Sequence, residues 1–88
     1  MAAESVLREL KSRANARKAV ELQRFFKTGK GEYAEGDIFL GIAVPEIRKV
    51  AREYEALELT ELTKLMASPL HEARFSALVI LTNRFKKA

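Results

Sequence analysis

Ser68-Pro69-Leu70-His71-Glu72-Ala73-Arg74-Phe75-Ser76-Ala77-Leu78-Val79-Ile80-Leu81, continued by Thr82-Asn83-Arg84-Phe85-Lys86-Lys87, is the stretch that decides the fold class. Ser68-Pro69 is a helix-start signal, a capping serine and then a proline at the first position, where its missing N–H costs nothing. Glu72 follows near the positive end of the helix dipole. Leu70, Ala73, Phe75, Ala77, Leu78, Val79, Ile80, Leu81 and Phe85 leave little polar surface in the second half. The run Ala77-Leu78-Val79-Ile80-Leu81 is apolar all round, so this helix needs neighbours on more than one side.

Moving toward the N-terminus, the candidate neighbours are also helical. Leu59, Leu62, Leu65 and Met66 mark a short fourth helix. Ile47, Val50, Ala51 and Tyr54 recur at i, i+3, i+4, i+7 behind Pro45, an amphipathic third helix. Asn15 is a good N-cap for a second helix carrying Ala16, Ala19, Val20, Leu22 and Phe26 and ending near Lys27 or Thr28, with Gly29 as its stop. Val6, Leu7 and Leu10 form the stripe of a first helix, Ala3 to Ser12. Only a few residues join the first two helices, so they are expected to pack as an antiparallel pair. Ile38-Phe39-Leu40-Gly41-Ile42 is apolar and short, compatible with one strand or one buried turn; a lone strand would have no partner, so it reads as a buried linker or single helical turn.

The expectation is therefore an all-α stack of about five short antiparallel helices in one domain over residues 1–88. Helices 3 and 4 can cover one side of the last helix, and no further helix in the sequence covers the other. Terminal units of helical stacks normally have a polar outer face. The pattern is that of the front part of a longer stack, truncated at its C-terminus, or of a chain that self-associates through its last helix.

Eighty-eight residues bound a small core and marginal stability. With no cysteine, disulfides and thiolate metal sites are excluded. No apolar run approaches the ~20 residues of a membrane span, and Met1-Ala2-Ala3-Glu4-Ser5 lacks the basic start and apolar block of a signal peptide. The cytoplasm is the expected compartment. The net charge of +4 is banded. Arg8, Lys11, Arg13, Arg17, Lys18, Arg24, Lys27 and Lys30 dominate residues 1–30, acids dominate 31–62, and bases return after 63. Such banding can build a basic stripe that attracts phosphates, although a solvated helix surface has the same look.

Residues with chemical potential are few. His71, the one histidine, has no ligand or triad partner nearby in sequence and reads as a surface or capping residue. Gly29-Lys30-Gly31 lacks the spacing and preceding strand of a phosphate loop. Glu32, Glu35 and Asp37 lack a calcium-loop pattern and read as solvated loop acids. No metal or cofactor is expected. Phe26 lies on the apolar face and reads as core. Phe25 points further round, and burial is the commoner fate of so large an apolar side chain. The start of helix 3, after Val44-Pro45, offers backbone N–H groups to an anion, with Arg48 and Lys49 a turn further on.

The stretch Phe25-Phe26-Lys27-Thr28-Gly29-Lys30-Gly31-Glu32-Tyr33-Ala34-Glu35-Gly36-Asp37, with Phe39-Leu40-Gly41-Ile42-Ala43-Val44-Pro45-Glu46-Ile47-Arg48-Lys49, resembles the N-terminal region of the DNA alkylation repair proteins, which are HEAT-like-repeat DNA glycosylases. Ser68-Pro69-Leu70-His71-Glu72-Ala73-Arg74 resembles the start of that family's next repeat. The resemblance implies a curved, HEAT-like stack of helix pairs whose basic concave side grips duplex DNA. It implies hydrolysis of the N-glycosidic bond of alkylated purines. A cationic base is already a good leaving group, so electrostatic help and a positioned water can suffice. The family's tryptophans and aspartate for that step lie beyond the repeat reached here. This sequence has no tryptophan, and its one aspartate is Asp37, so no catalytic residue carries over. The resemblance places Ala43-Val44-Pro45 and the start of helix 3 against DNA with Phe25 nearby, although Ala43 stands where many relatives have a polar or basic residue. Lys27, Lys30, Arg48 and Lys49 are the expected phosphate contacts, which position a duplex without reading its sequence. The alternative is a HEAT-like protein-interaction scaffold without catalysis, since a fold does not fix a function.

Overall fold

The structure, a computed structural model, describes residues 1–25 and 36–87. Five helices follow in chain order: α1 (Ala3–Ser12), α2 (Ala16–Phe25), α3 (Val44–Glu53), α4 (Leu59–Met66) and α5 (His71–Lys87). The all-helical expectation holds. The bounds expected for α1 hold residue for residue, while the expected end of the second helix near Lys27 and the core reading of Phe26 lie outside the described residues.

α5 is the centre of the stack. It packs against α3 and α4, as the sequence predicted, and also against α1. Ala73, Ala77 and Ile80 of α5 are fully buried, facing a core built from Val6 and Leu10 of α1, Ile47, Val50 and Ala51 of α3, and Leu62 and Leu65 of α4. Leu57, in the turn before α4, completes it. Its carbonyl accepts a hydrogen bond from Arg84 Nη1 at 2.5 Å, which ties that turn to the far end of α5. On the opposite side of α5, Leu78, Leu81 and Phe85 form an open stripe; Leu78 is 52% and Phe85 84% exposed.

Two helix starts are held by tertiary partners instead of their own side chains. No side chain caps α1 locally, and its Ala3 N–H donates to Glu61 Oε1 of α4 at 2.9 Å. α5 begins two residues after the expected proline start. Leu70 is drawn into a parallel bridge with Ile38: Ile38 N–H donates to Pro69 O at 3.1 Å and His71 N–H to Ile38 O at 2.8 Å. Ser68 Oγ accepts from Leu70 N–H at 3.1 Å, so it stabilises this turn and is not the helix cap.

The apolar segment 38–42 is a largely buried linker, with Phe39, Gly41 and Ile42 buried and Ile38 at its start exposed. A buried strand-like segment without neighbours would leave its N–H groups unsatisfied, at a cost of about 1–3 kcal/mol each. Glu72 removes that cost. Only 1% exposed, it accepts Leu40 N–H at Oε1 (2.9 Å) and Gly41 and Ile42 N–H at Oε2 (2.9 and 3.4 Å). Asp37 pairs with Arg74 at 2.8 Å, and Arg74 also donates to Ser68 O at 2.6 Å. Asp37 is thus a structural clasp and not a solvated loop acid.

Among the described residues the expected α1–α2 hairpin does not form: α2 packs on no other helix and has no buried residue. It lies instead against the linker: Asn15 N–H donates to Leu40 O at 2.8 Å, while Asn15 Oδ1 caps α2 by accepting Lys18 N–H at 3.0 Å. Gly41 makes this approach possible. Its φ is +80°, and a Cβ there would lie 2.1 Å from Asn15 O and 2.6 Å from Ala19 N. A short connection brings two helices near each other in sequence, but here the linker takes the place beside α2.

Candidate nucleic-acid interface

α3 organises the basic surface because its buried residues, Ile47, Val50 and Ala51, leave Arg48, Lys49 and Arg52 on its outward side. The structure separates the two basic residues expected to act together there. Lys49 lies 3.5 Å from Glu46 Oε1, and the other oxygen of Glu46 is bonded by Arg13 at the end of α1. Lys49, opposed by burial and aided by the Arg13 hydrogen bond, holds the Glu46 carboxyl below the usual carboxylate range. The first turn of α3 therefore carries its own negative charge. Ala43 O accepts Glu46 N–H (3.0 Å) and Ile47 N–H (3.1 Å), and Pro45 has no N–H. As an anion site this helix start is largely spoken for.

Arg48 is placed differently. It borders two adjoining depressions between α3 and α5, of about 260 and 190 Å³. Phe75, Leu78, Thr82 and Lys86 line one of them, Arg52 the other, and Val79 and Asn83 both. Among the described residues no carboxylate pairs with Arg48, Arg52 or Lys86. Arg52 was legible as the i+4 partner of Arg48. Asn83 and Lys86 were not, because nothing local shows which face of α5 meets α3. Lys27 and Lys30 lie outside the described residues.

A second cleft, of about 400 Å³, lies between α2 and the end of the linker, lined by Lys18, Glu21, Leu22, Phe25, Ile42, Ala43 and Val44. Phe25 is 75% exposed, contrary to the expectation of burial; no described helix packs on α2. The structure thus brings Phe25 and Ala43-Val44 to one cleft. His71 stacks on Phe39, ring centroids 4.5 Å apart, at the junction of linker and α5.

These features define an all-helical stack with an apolar core helix and a basic groove on one flank. The chain belongs to the DNA alkylation repair enzyme family, whose model matches residues 6–88. It matches none of the curated proteins and none of the solved structures with which it was compared. None of its described helices is long and apolar enough to cross a membrane.

Proposed function

We propose that this chain is the DNA-binding N-terminal part of a HEAT-like-repeat alkylpurine DNA glycosylase, a cytoplasmic protein, and that residues 1–88 carry no catalytic group. The family assignment over residues 6–88 carries this reading. The cleft that joins Phe25 to Ala43-Val44 supports it, since an exposed aromatic offers a face on which a base can stack. Of the four expected contacts, Arg48 is the best placed, Lys27 and Lys30 follow from the sequence, and Lys49 is the weakest because Glu46 shares its charge. Their work is to position alkylated duplex DNA through its phosphates. Bond cleavage falls to residues supplied from elsewhere in the stack, and the open stripe Leu78, Leu81 and Phe85 is where further helices pack.

Anisotropy titration of a labelled duplex tests the binding half of the proposal. Affinity should fall steeply with salt as counterions are reclaimed, and a salt-independent affinity would refute phosphate contacts. Incubation with methylated duplex tests the other half. Release of 7-methylguanine by the 88-residue chain would show that its chemistry is its own. The same apolar stripe favours a second reading, a protein-interaction scaffold. That reading predicts no affinity for duplex DNA at low salt.

A further inference from the structure

The depressions between α3 and α5 differ in charge from two other concavities among the described residues. The one on α1 sets Glu4 beside Arg8 and Lys11, and the α2 cleft sets Glu21 beside Lys18. Among the described residues no acidic side chain lines either α3–α5 depression; Arg48 borders both, Lys86 the larger and Arg52 the smaller. The neighbouring cations are engaged elsewhere: Arg84 on Leu57 O, Lys87 on Glu55 and Lys49 on Glu46. Like charges around two adjoining depressions repel each other, and an anion between them turns that repulsion into attraction.

Their arrangement along α3 matters as much as their sign. Val44 of the α2 cleft, Arg48 and Arg52 follow at i, i+4, i+8 and so share one face of the helix. Eight residues at 1.5 Å each make this face about 12 Å long. Measured along the duplex axis one DNA strand advances 3.4 Å per nucleotide, so a face laid along that axis spans about three nucleotides. Asn83 adds a neutral amide on the α5 side, and Phe75, Leu78 and Val79 give the groove an apolar wall.

We propose that the α3–α5 groove is a phosphate track in which Arg48, Arg52 and Lys86, aided by Asn83, hold the backbone of a DNA strand that continues from the α2 cleft. The proposal rests on the DNA-binding reading above and extends it to Arg52, Asn83 and Lys86. It makes the flank of α3, and not its N-terminal end, the main electrostatic contact.

Two double variants of equal charge decide the matter, R52Q/K86Q in the groove and R8Q/K11Q on α1. All four side chains are exposed, so both variants should keep the wild-type thermal transition by circular dichroism. Binding to a labelled duplex is then measured from 50 to 200 mM salt. The groove variant should lose about ten-fold in affinity at 100 mM, and its salt slope should fall by about 2, one per lost phosphate contact. The α1 variant should stay within about two-fold of wild type. If wild type binds and the two variants behave alike, the groove is refuted while the DNA-binding reading stands. If wild type does not bind duplex DNA at all, both fall.

Discussion

Glu72 Oε2 lies 2.9 Å from the backbone nitrogen of Gly41, inside the core and 31 residues away in sequence. With the neighbouring bonds to Leu40 and Ile42, this one carboxylate supplies the acceptors for three consecutive N–H groups of the linker. It thereby holds the linker, α2 and the start of α3 in register with α5. Glu72→Gln places an amide NH₂ against at least one of those donors, and Glu72→Ala leaves all three unsatisfied. By the cost of each orphaned donor, Glu72→Gln should lose about 1–3 kcal/mol and Glu72→Ala about 3–9 kcal/mol. Urea unfolding followed at 222 nm measures this. A loss under 0.5 kcal/mol would show that the linker is held by packing alone.

Gly41→Ala attacks the same junction from the other side. The new methyl group meets the Asn15 carbonyl and the Ala19 nitrogen, both backbone, and φ of +80° disfavours any side chain. Strain and overpacking together should cost on the order of 3 kcal/mol. Because only α2 is pushed away, its amides should lose hydrogen-exchange protection well before those of α3 and α5. Equal loss across all helices would show that α2 is integral to the core.

Asn15→Ala removes the Oδ1 acceptor of Lys18 N–H and keeps the Asn15 N–H bond to Leu40. It should cost about 1 kcal/mol, the usual worth of an N-cap. Asn15→Asp should keep the cap and lose little. Thermal melts of the two variants side by side give the comparison.

Local features were legible in the sequence and long-range ones were not. The 3.6-residue spacing of Val6 and Leu10, of Ile47, Val50 and Ala51, and of Leu62 and Leu65 gave both the helices and their buried faces, because period and burial are properties of one helix. Asn15 was legible as a cap for the same reason. The pairing of α2 with the linker depends on the bare backbone of Gly41 meeting Asn15, two segments 26 residues apart. The later start of α5 depends on Ile38 claiming the backbone around Leu70. Glu72 carried a correct local signal, an acid in a first helical turn, yet its larger role came from the linker it meets. At the candidate interface, Arg48 and Lys49 are adjacent in sequence and part company in space, because Glu46 neutralises one while the groove gathers the other with Arg52 and Lys86.

Two surface carboxylates make stability depend on acid pH. The Lys64 hydrogen bond, followed by the Ala3 N–H, holds Glu61 below the usual carboxylate range, and Lys49 with Arg13 does the same for Glu46. A lowered folded-state value means that the unfolded chain binds more protons in acid. The stabilisation is therefore present above the unfolded glutamate value of about 4.3, and it is lost as pH falls through the lower folded values. Lys64 is raised by the same Glu61 bond, so its part persists below the unfolded lysine value and fades only at strongly alkaline pH. The urea midpoint should be level near neutrality and drop below about pH 4.5. E46Q/E61Q should flatten that limb, and an unchanged limb would assign it to other groups.

Leu78 and Ile80 are two residues apart on α5 and meet opposite surroundings, one 52% exposed and the other fully buried. Ile80→Ala should cost about 2–5 kcal/mol, enough to unfold much of so small a domain. Leu78→Ser, on the open stripe, should stay within about 0.5 kcal/mol. Its effect belongs to association. An uncovered stripe of Leu78, Leu81 and Phe85 gives the 88-residue chain an apolar face with which a second copy can pair. Sedimentation velocity over a hundred-fold concentration range should show wild type becoming heavier and L78S/F85S remaining monomeric. If wild type stays monomeric throughout, the stripe is no self-association surface.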